Sequence, residues 1–348
     1  MPCHRWKGAV DPIGVEAEIN LQGPGLGHRI LTEETNLMKP LPYLLILFFS
    51  STGVGLWAAQ SKEPEAISLF GQPLYRTSIS PEQKAILDAN LAEARANYEK
   101  EPNDLENIIW YGRRLAYSWR YKEAIGVYSQ GLERYQDSYK LLRHRGHRYI
   151  TVREFDKAVA DLEEASRLIE GLSDEIEPDG APNAAGKPRS TSHSNIWYHL
   201  GLAYYLNGQF EKALSSYREC LKFSKVNDDM LVATADWLYM TLRRLGKESE
   251  ARAILGLIKP EMDILENSAY HRRLLMYKGQ VEPTQLLDPA NLNEMNLLTQ
   301  GYGVANWYYV NGEKEKAKAL LEKILESSYW AAFGYIAAEA DLRRWPKD

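Results

Sequence analysis

The sequence predicts an all-α solenoid built from antiparallel helix hairpins. Three observations carry that prediction. First, residues 195–226 (NIWYHLGLAYYLNGQFEKALSSYRECLKFSKV) divide into two amphipathic segments around Asn207-Gly208, a dipeptide that turns the chain. Second, Gly201 and Ala213 put one small residue in each segment, so two helices can cross closely there. Trp197, Leu200, Tyr204, Phe210, Tyr217 and Leu221 are spaced to fill the surroundings of that crossing. Third, the same layout recurs before and after this stretch. One such hairpin cannot bury its apolar face without neighbours above and below, so a stack is required.

Taken in order, the chain opens on a segment unlike the rest. Residues 1–37 are rich in Gly and Pro and show no sustained period, and they read as a disordered or spurious extension. Residues 38–60 begin Met38-Lys39-Pro40 and continue into an apolar run ending in small residues, the layout of a secretory signal. Met38 is the expected true start. The alternative is an uncleaved N-terminal anchor, because residues 41–59 are 19 long, just enough to span a bilayer. Ser50, Ser51, Thr52 and two glycines weaken the span and favour export with cleavage. Residues 61–79 read as an extended leader. A helix is expected from Ser80-Pro81-Glu82, with Ser at the N-cap and Pro at the first helical position, and it should run to about Lys100.

The hairpins follow over 80–344. Gly112 and Ala124 take the two small positions of the first, with Tyr121 and Tyr128 as core aromatics. Gly146 and Ala158 take those of the second, with Tyr149, Phe155 and Leu162, and the two glycines are 34 residues apart. Gly201 and Ala213 belong to the third, which starts late because about 21 residues are inserted within 171–194 (GLSDEIEPDGAPNAAGKPRSTSHS). The Pro, Gly, Ser and Asn of that insert exclude a continuing helix. The fourth hairpin turns at Gly246 and has Ala251, but Tyr239 stands where Gly would be. A shorter, degenerate pair occupies 261–285, turning at Lys278-Gly279 with Pro283 opening its second helix. The fifth clear unit, 298–327, turns at Asn311-Gly312, with Ala305 and Ala317 at the small positions. A closing helix over 328–344 should carry a polar outer face, supplied by Glu339, Asp341, Arg343 and Arg344.

The spacing W-x-x-L-G-x-x-Y at Trp197, Leu200, Gly201 and Tyr204, followed by Ala213 and Tyr217, resembles a tetratricopeptide repeat, as does the 34-residue period. The resemblance covers 102–344 and is strongest in the first three units; the Pro usual at repeat ends is missing from them. It implies a right-handed superhelix whose first helices line a concave face. Carried over by position, that face holds Arg113 and Tyr117, then Lys140, Arg143, His147 and Thr151, then Tyr198, Leu202 and Tyr205, and finally Tyr302, Asn306 and Tyr309. The groove would pass from cationic to aromatic. Arg suits carboxylate because its planar fork makes paired, charge-assisted hydrogen bonds, and Tyr gives flat contact area with a polar tip. The arrangement also resembles secreted bacterial members of the family.

The chemistry searched for elsewhere is sparse. There is no H-E-x-x-H, no C-x-x-C and no phosphate-binding G-x-x-x-x-G-K-[ST], and Gly301-Tyr-Gly303 lies within a helical repeat, where it serves packing. His144 and His147 stand three apart on one helix and could approach a common metal ion, with a third ligand from His199 or the insert. The neighbouring arginines disfavour a cation. Cys3 and Cys220 make no disulfide framework, and Cys220 is expected to be buried and inert. The formal net charge of −5 gives no general pull towards nucleic acid or anionic membrane. The expected function is therefore a non-enzymatic, exported interaction scaffold with no cofactor and no metal. Its groove would bind an acidic segment or the C-terminus of another protein, with membrane contact only if 41–59 stays uncleaved. The alternative is a metal-dependent enzyme using His144, His147 and the 171–194 insert.

Overall fold

A computed structural model describes residues 63–180, 183, 185–288 and 294–346. The extension over 1–37 and the signal or anchor over 38–60 lie outside the described residues. No described helix is long and apolar enough to cross a membrane. The leader departs from expectation, because it forms sheet. β1 (Ala66–Ile67) and β2 (Pro73–Leu74) pair antiparallel, Ala66 opposite Leu74. Gly71, at φ +82°, supplies the left-handed turn residue, and Ser68 Oγ accepts the Gln72 N–H at 3.0 Å. Helix α1 (Pro81–Lys100) starts as its sequence requires, with Ser80 Oγ accepting the Gln83 N–H at 3.1 Å.

Six hairpins and a closing helix follow among the described residues. They are α2 (Leu105–Tyr117) with α3 (Tyr121–Arg134), α4 (Tyr139–Thr151) with α5 (Phe155–Leu168), and α6 (Ser192–Leu206) with α7 (Phe210–Ser224). Then come α8 (Asp228–Arg244) with α9 (Glu248–Leu255), α10 (Ser268–Tyr277) with the single-turn α11 (Pro283–Leu286), α12 (Glu294–Val310) with α13 (Lys314–Ile324), and α14 (Phe333–Arg343). The crossings explain the small residues. A Cβ on Gly201 would stand 2.7 Å from the Tyr217 ring, one on Gly112 2.3 Å from Tyr128, and one on Gly146 2.7 Å from Leu162. Gly303 serves packing too, since a Cβ there would meet the Arg273 guanidinium at 2.1 Å. In the fourth unit Tyr239 instead stacks on Tyr277, centroids 4.3 Å apart.

Each hairpin reverses through one left-handed residue. Gly208, Gly246, Gly279 and Gly312 do so in the later units, and Trp119 (φ +59°) and Arg153 (φ +69°) in the first two. A side chain in this region costs free energy that the surroundings must offset. Trp119 is locked edge-on against Tyr121 and Trp330, and Arg153 is held by a buried ion pair described below.

Helix α6 begins at Ser192, at the end of the insert, capped by Thr191 through a reciprocal capping box with Ser194. One expectation needs correction. The closing helix does not turn Glu339 and Asp341 outward. Both are buried, at 1% and 4% exposure, while Arg343 and Arg344 alone remain on the outside. Helix α14 has Phe333, Ile336, Ala337, Ala338 and Ala340 distributed around it, all buried, and a helix apolar all round belongs inside. It packs against α6, α12 and α13, so it lies along the inner face of the stack and not across its end.

Candidate protein-interaction surface

The first helices of the hairpins stand side by side, α2 on α4, α4 on α6, α6 on α8, α8 on α10 and α10 on α12. The residues that the repeat position assigns to a concave face are buried or half-buried. Two different segments of the same chain cover them.

Helix α14 covers the aromatic part. Tyr302 Oη stands 2.9 Å from Tyr205 Oη and 3.0 Å from Asp341 Oδ2. Arg244 donates to Asp341 at 2.5 Å and, through Nε, to Asn306 Oδ1 at 2.7 Å; its guanidinium lies 4.3 Å over the Tyr309 ring. Tyr205, Tyr302 and Asn306 are thereby fully buried. Leu202 and Thr151 are buried as well, and His147 sits against Phe333, centroids 5.3 Å apart. Tyr198 meets Tyr270, hydroxyl to hydroxyl at 3.2 Å, and Tyr309 meets Trp345 edge-on. A second anchor fixes α14 to the turn between α4 and α5. Arg153 Nε donates to Glu339 Oε2 at 2.9 Å, and Arg153 Nη2 to the Trp330 carbonyl at 2.8 Å. Glu339 Oε1 also accepts the Leu69 N–H at 2.7 Å, and Trp330 Nε1 donates to the Tyr75 carbonyl, so the leader, the second hairpin and α14 meet at one point.

The insert covers the cationic part. Its residues 175–180 run across α2 and α4, tied to the start of α6 by the Glu177 N–H to the Ser190 carbonyl and the Ser192 N–H to the Glu175 carbonyl. Glu177 pairs with Arg143 at 3.0 Å and accepts from Asn195. Glu175 pairs with Lys140 at 3.0 Å, and Arg114 donates to the Gly180 carbonyl at 2.8 Å. Gly180 must be Gly, since a Cβ there would strike the Tyr117 hydroxyl at 1.8 Å. Between insert and helices remains a cleft of about 220 Å³ lined by Arg113, Lys140, Arg143 and His144 on one side and Glu175 and Glu177 on the other. Arg113 lies over the Trp110 ring at 4.4 Å and donates to Tyr117 Oη at 3.3 Å.

The histidines do not form a metal centre among the described residues, where no group of three or more His, Cys, Asp or Glu is placed to hold an ion. His147 stacks on His199 with centroids 4.3 Å apart, and His144 on Tyr128. Burial, reinforced by the guanidiniums of Arg143 and Arg148, pushes all three rings well below the usual imidazole range, so they are neutral. A metal ion would have to join those fixed positive charges. Cys220 is fully buried, its thiol pushed up to about 11 by burial, as expected of an inert packing residue.

Position in the repeat locates the inward residues but not their covers. Arg153, Arg244, Glu339 and Asp341 carry the closure, and only the all-round apolarity of residues 330–340 signals it in the sequence.

Fold and site together define a helical-hairpin repeat protein, the architecture of interaction scaffolds. The sequence model of the tetratricopeptide repeat matches residues 194–225, the α6–α7 hairpin. The α6–α7 hairpin is thus a tetratricopeptide repeat, set in an array of similar helical hairpins. The chain is similar to BBSome complex member BBS4 of Bos taurus, 24% identical over 160 residues that cover 45% of this chain and 26% of that protein, so it spans about a quarter of that relative's length. Among solved structures it is similar to a tetratricopeptide repeat protein from Parabacteroides merdae (18% identity, 70% of this chain and 88% of that one, TM-score 0.43). It is also similar to YrrB, described as a TPR protein with an unusual peptide-binding site (17% identity, 67% and 91%, TM-score 0.38).

Proposed function

We propose that the chain is a non-enzymatic scaffold whose partner surface is the cationic cleft between α2, α4 and the insert, and that it takes an acidic segment or C-terminal carboxylate of another protein. The observation that supports this is the Arg113–Lys140–Arg143 wall, which holds carboxylates of the chain's own insert in an otherwise open cleft. A planar guanidinium shielded from water is where a carboxylate gains most from paired hydrogen bonds. The part of the inner face around Tyr205, Tyr302 and Asn306 is filled by α14, which favours the cationic part as the binding region.

The test compares Arg143→Ala with Arg134→Ala, the latter exposed on a second helix. The probes are labelled acidic peptides with free and amidated C-termini, read by fluorescence anisotropy at low and high salt. Loss of a shielded charged hydrogen bond costs about 1.5–3 kcal/mol, an exposed pair about 0–1 kcal/mol that fades with salt. Equal loss in both variants would make the charge a diffuse field and end the cleft assignment. The proposal includes export, supported by Lys39 and the apolar run after it. N-terminal sequencing of the natural protein should find a start between about residues 60 and 65; residues 1–37 intact on a cytoplasmic protein would refute it.

A further inference from the structure

We infer that insert residues 175–179 are a built-in competitor for the cleft, occupying the place of the partner's acidic segment until that segment displaces them. This rests on the cleft being the partner surface. Three observations carry it. The insert's attachment is made by carboxylates and backbone and not by apolar burial: Leu172 and Ile176 are 52% and 65% exposed, while Glu177 is sunk against Arg143. A segment with few buried apolar contacts belongs to the least stable part of a fold and opens without the rest. The receiving wall, moreover, is not saturated. Arg143 Nε, in the wall, is buried without a hydrogen-bond partner, as is Asp179 Oδ2 on the insert. Arg113 and Arg143 are both at least nine-tenths buried, yet among the described residues Glu177 alone lies within ion-pair distance of either. An arrangement optimised for permanence would satisfy those groups; a stand-in need only hold the site closed. Finally, Glu175-Ile-Glu-Pro-Asp179 already has the chemistry of the proposed partner, with carboxylates at every second residue of a segment bridged to Thr191 at Ile176.

The tether presents these carboxylates at an effective concentration on the order of millimolar. The weakening is one plus the ratio of that concentration to the segment's own Kd, so a segment with a Kd of about 0.1 mM binds the intact chain about ten-fold more weakly than a chain whose insert no longer competes.

The probe is a labelled peptide of the insert itself, Ser-Asp-Glu-Ile-Glu-Pro-Asp-Gly (residues 173–180), amidated at its C-terminus. It is titrated against the full chain and against a full-length variant carrying Glu175→Gln, Glu177→Gln and Asp179→Asn. The variant should bind about ten-fold tighter, and Arg143→Gln added to it should remove most of that binding. Equal, Arg143-dependent binding to both chains would overturn the competitor and leave the cleft reading standing. Binding to neither would overturn the cleft reading, and the competitor with it. A second measurement needs no variant: saturating peptide added to the natural chain should speed amide exchange of residues 175–180. Unchanged exchange with the peptide bound would equally overturn the inference.

Discussion

Removing Glu339 tests whether α14 is held in the stack as described. Arg153 and Glu339 are 2% and 1% exposed at their side chains and 2.9 Å apart. Their ion pair exists only because both charges gave up water together, so its net contribution is small, but losing one member is not. Glu339→Ala leaves the Arg153 guanidinium with carbonyl partners alone and strips the Leu69 N–H of its acceptor. Breaking a buried pair in this way costs about 3–5 kcal/mol. The cost cannot exceed what α14 gains by docking, since undocking would return Arg153 to water. It should therefore appear first as release of α14 and the leader and only then as loss of the whole stack, because repeat arrays lose structure unit by unit.

The assay is urea denaturation followed by circular dichroism, together with amide exchange of residues 333–343. The natural chain, Glu339→Ala, Arg153→Met and the double variant Arg153→Met/Glu339→Leu form the set. Both single changes should lower the midpoint and deprotect α14. The double variant should recover most of the loss, since an apolar pair of similar volume replaces a buried ion pair at little net cost. If Glu339→Ala costs under about 1 kcal/mol, the value of a surface pair, or if the double variant is as unstable as the sum of the singles, the pair is not buried in solution. The inner face would then be open along its aromatic part.

Two further predictions follow from the geometry. Gly201→Ala should cost about 1–3 kcal/mol through overpacking against Tyr217, whereas Gly126→Ala, exposed in α3 with nothing within 4 Å of its Cβ, should stabilise by about 0.5–1 kcal/mol; thermal melts separate them. Burial raises the Asp179 carboxyl to about 6 and that of Glu266, which accepts from Asn183 of the insert, to about 7. A carboxyl raised on folding favours the folded form when protonated, so this contribution is present at low pH and is lost as pH rises through about 6–7. Amide protection of residues 177–180 and 185–192, corrected for intrinsic rates, should fall between about pH 4 and 7 and level off above. The fall should shrink in the Asp179→Asn/Glu266→Gln variant; protection that rises with pH would refute the assignment.

The parts of this fold that were legible in the sequence are those fixed locally. Gly208, Gly246, Gly279 and Gly312 announce their turns because Gly accepts positive φ freely, and Gly112, Gly146 and Gly201 mark crossings that leave no room for a Cβ. The turn at Trp119 is not legible in the sequence, since nothing local to a Trp requests a left-handed conformation; tertiary packing imposes it. Repeat position singles out Arg113, Arg143 and Tyr205, and the fold buries all three. What covers them did not, because Glu177 and Asp341 are ordinary surface acids by type, and only contacts 34 and 97 residues distant in sequence bury them. The closing helix misled for a definite reason. A polar outer face was assigned from its acids, whereas the apolar residues on every other side leave no outer face to speak of, and an acid on such a helix needs a buried arginine.

The two covers use one chemistry at opposite ends of a stability scale. Each brings carboxylates to inward arginines, Glu339 and Asp341 to Arg153 and Arg244, and Glu177 to Arg143. Around the first two, Phe333, Ile336 and a run of alanines are buried on every side, and Asp341 is additionally bound by Tyr302 and Arg344. At about 25 cal/mol per Å² of apolar surface removed from water, such side chains supply the free energy that a desolvated ion pair cannot supply by itself. Around Glu177 the flanking Ile176 and Leu172 face solvent, so removing the insert forfeits little apolar burial. An incoming segment that offers the same carboxylates has only charge and backbone contacts to replace at the insert, but a whole core to replace at α14. Exchange at the inner face is therefore cheapest between α2 and α4, where the uncommitted Nε of Arg143 already stands.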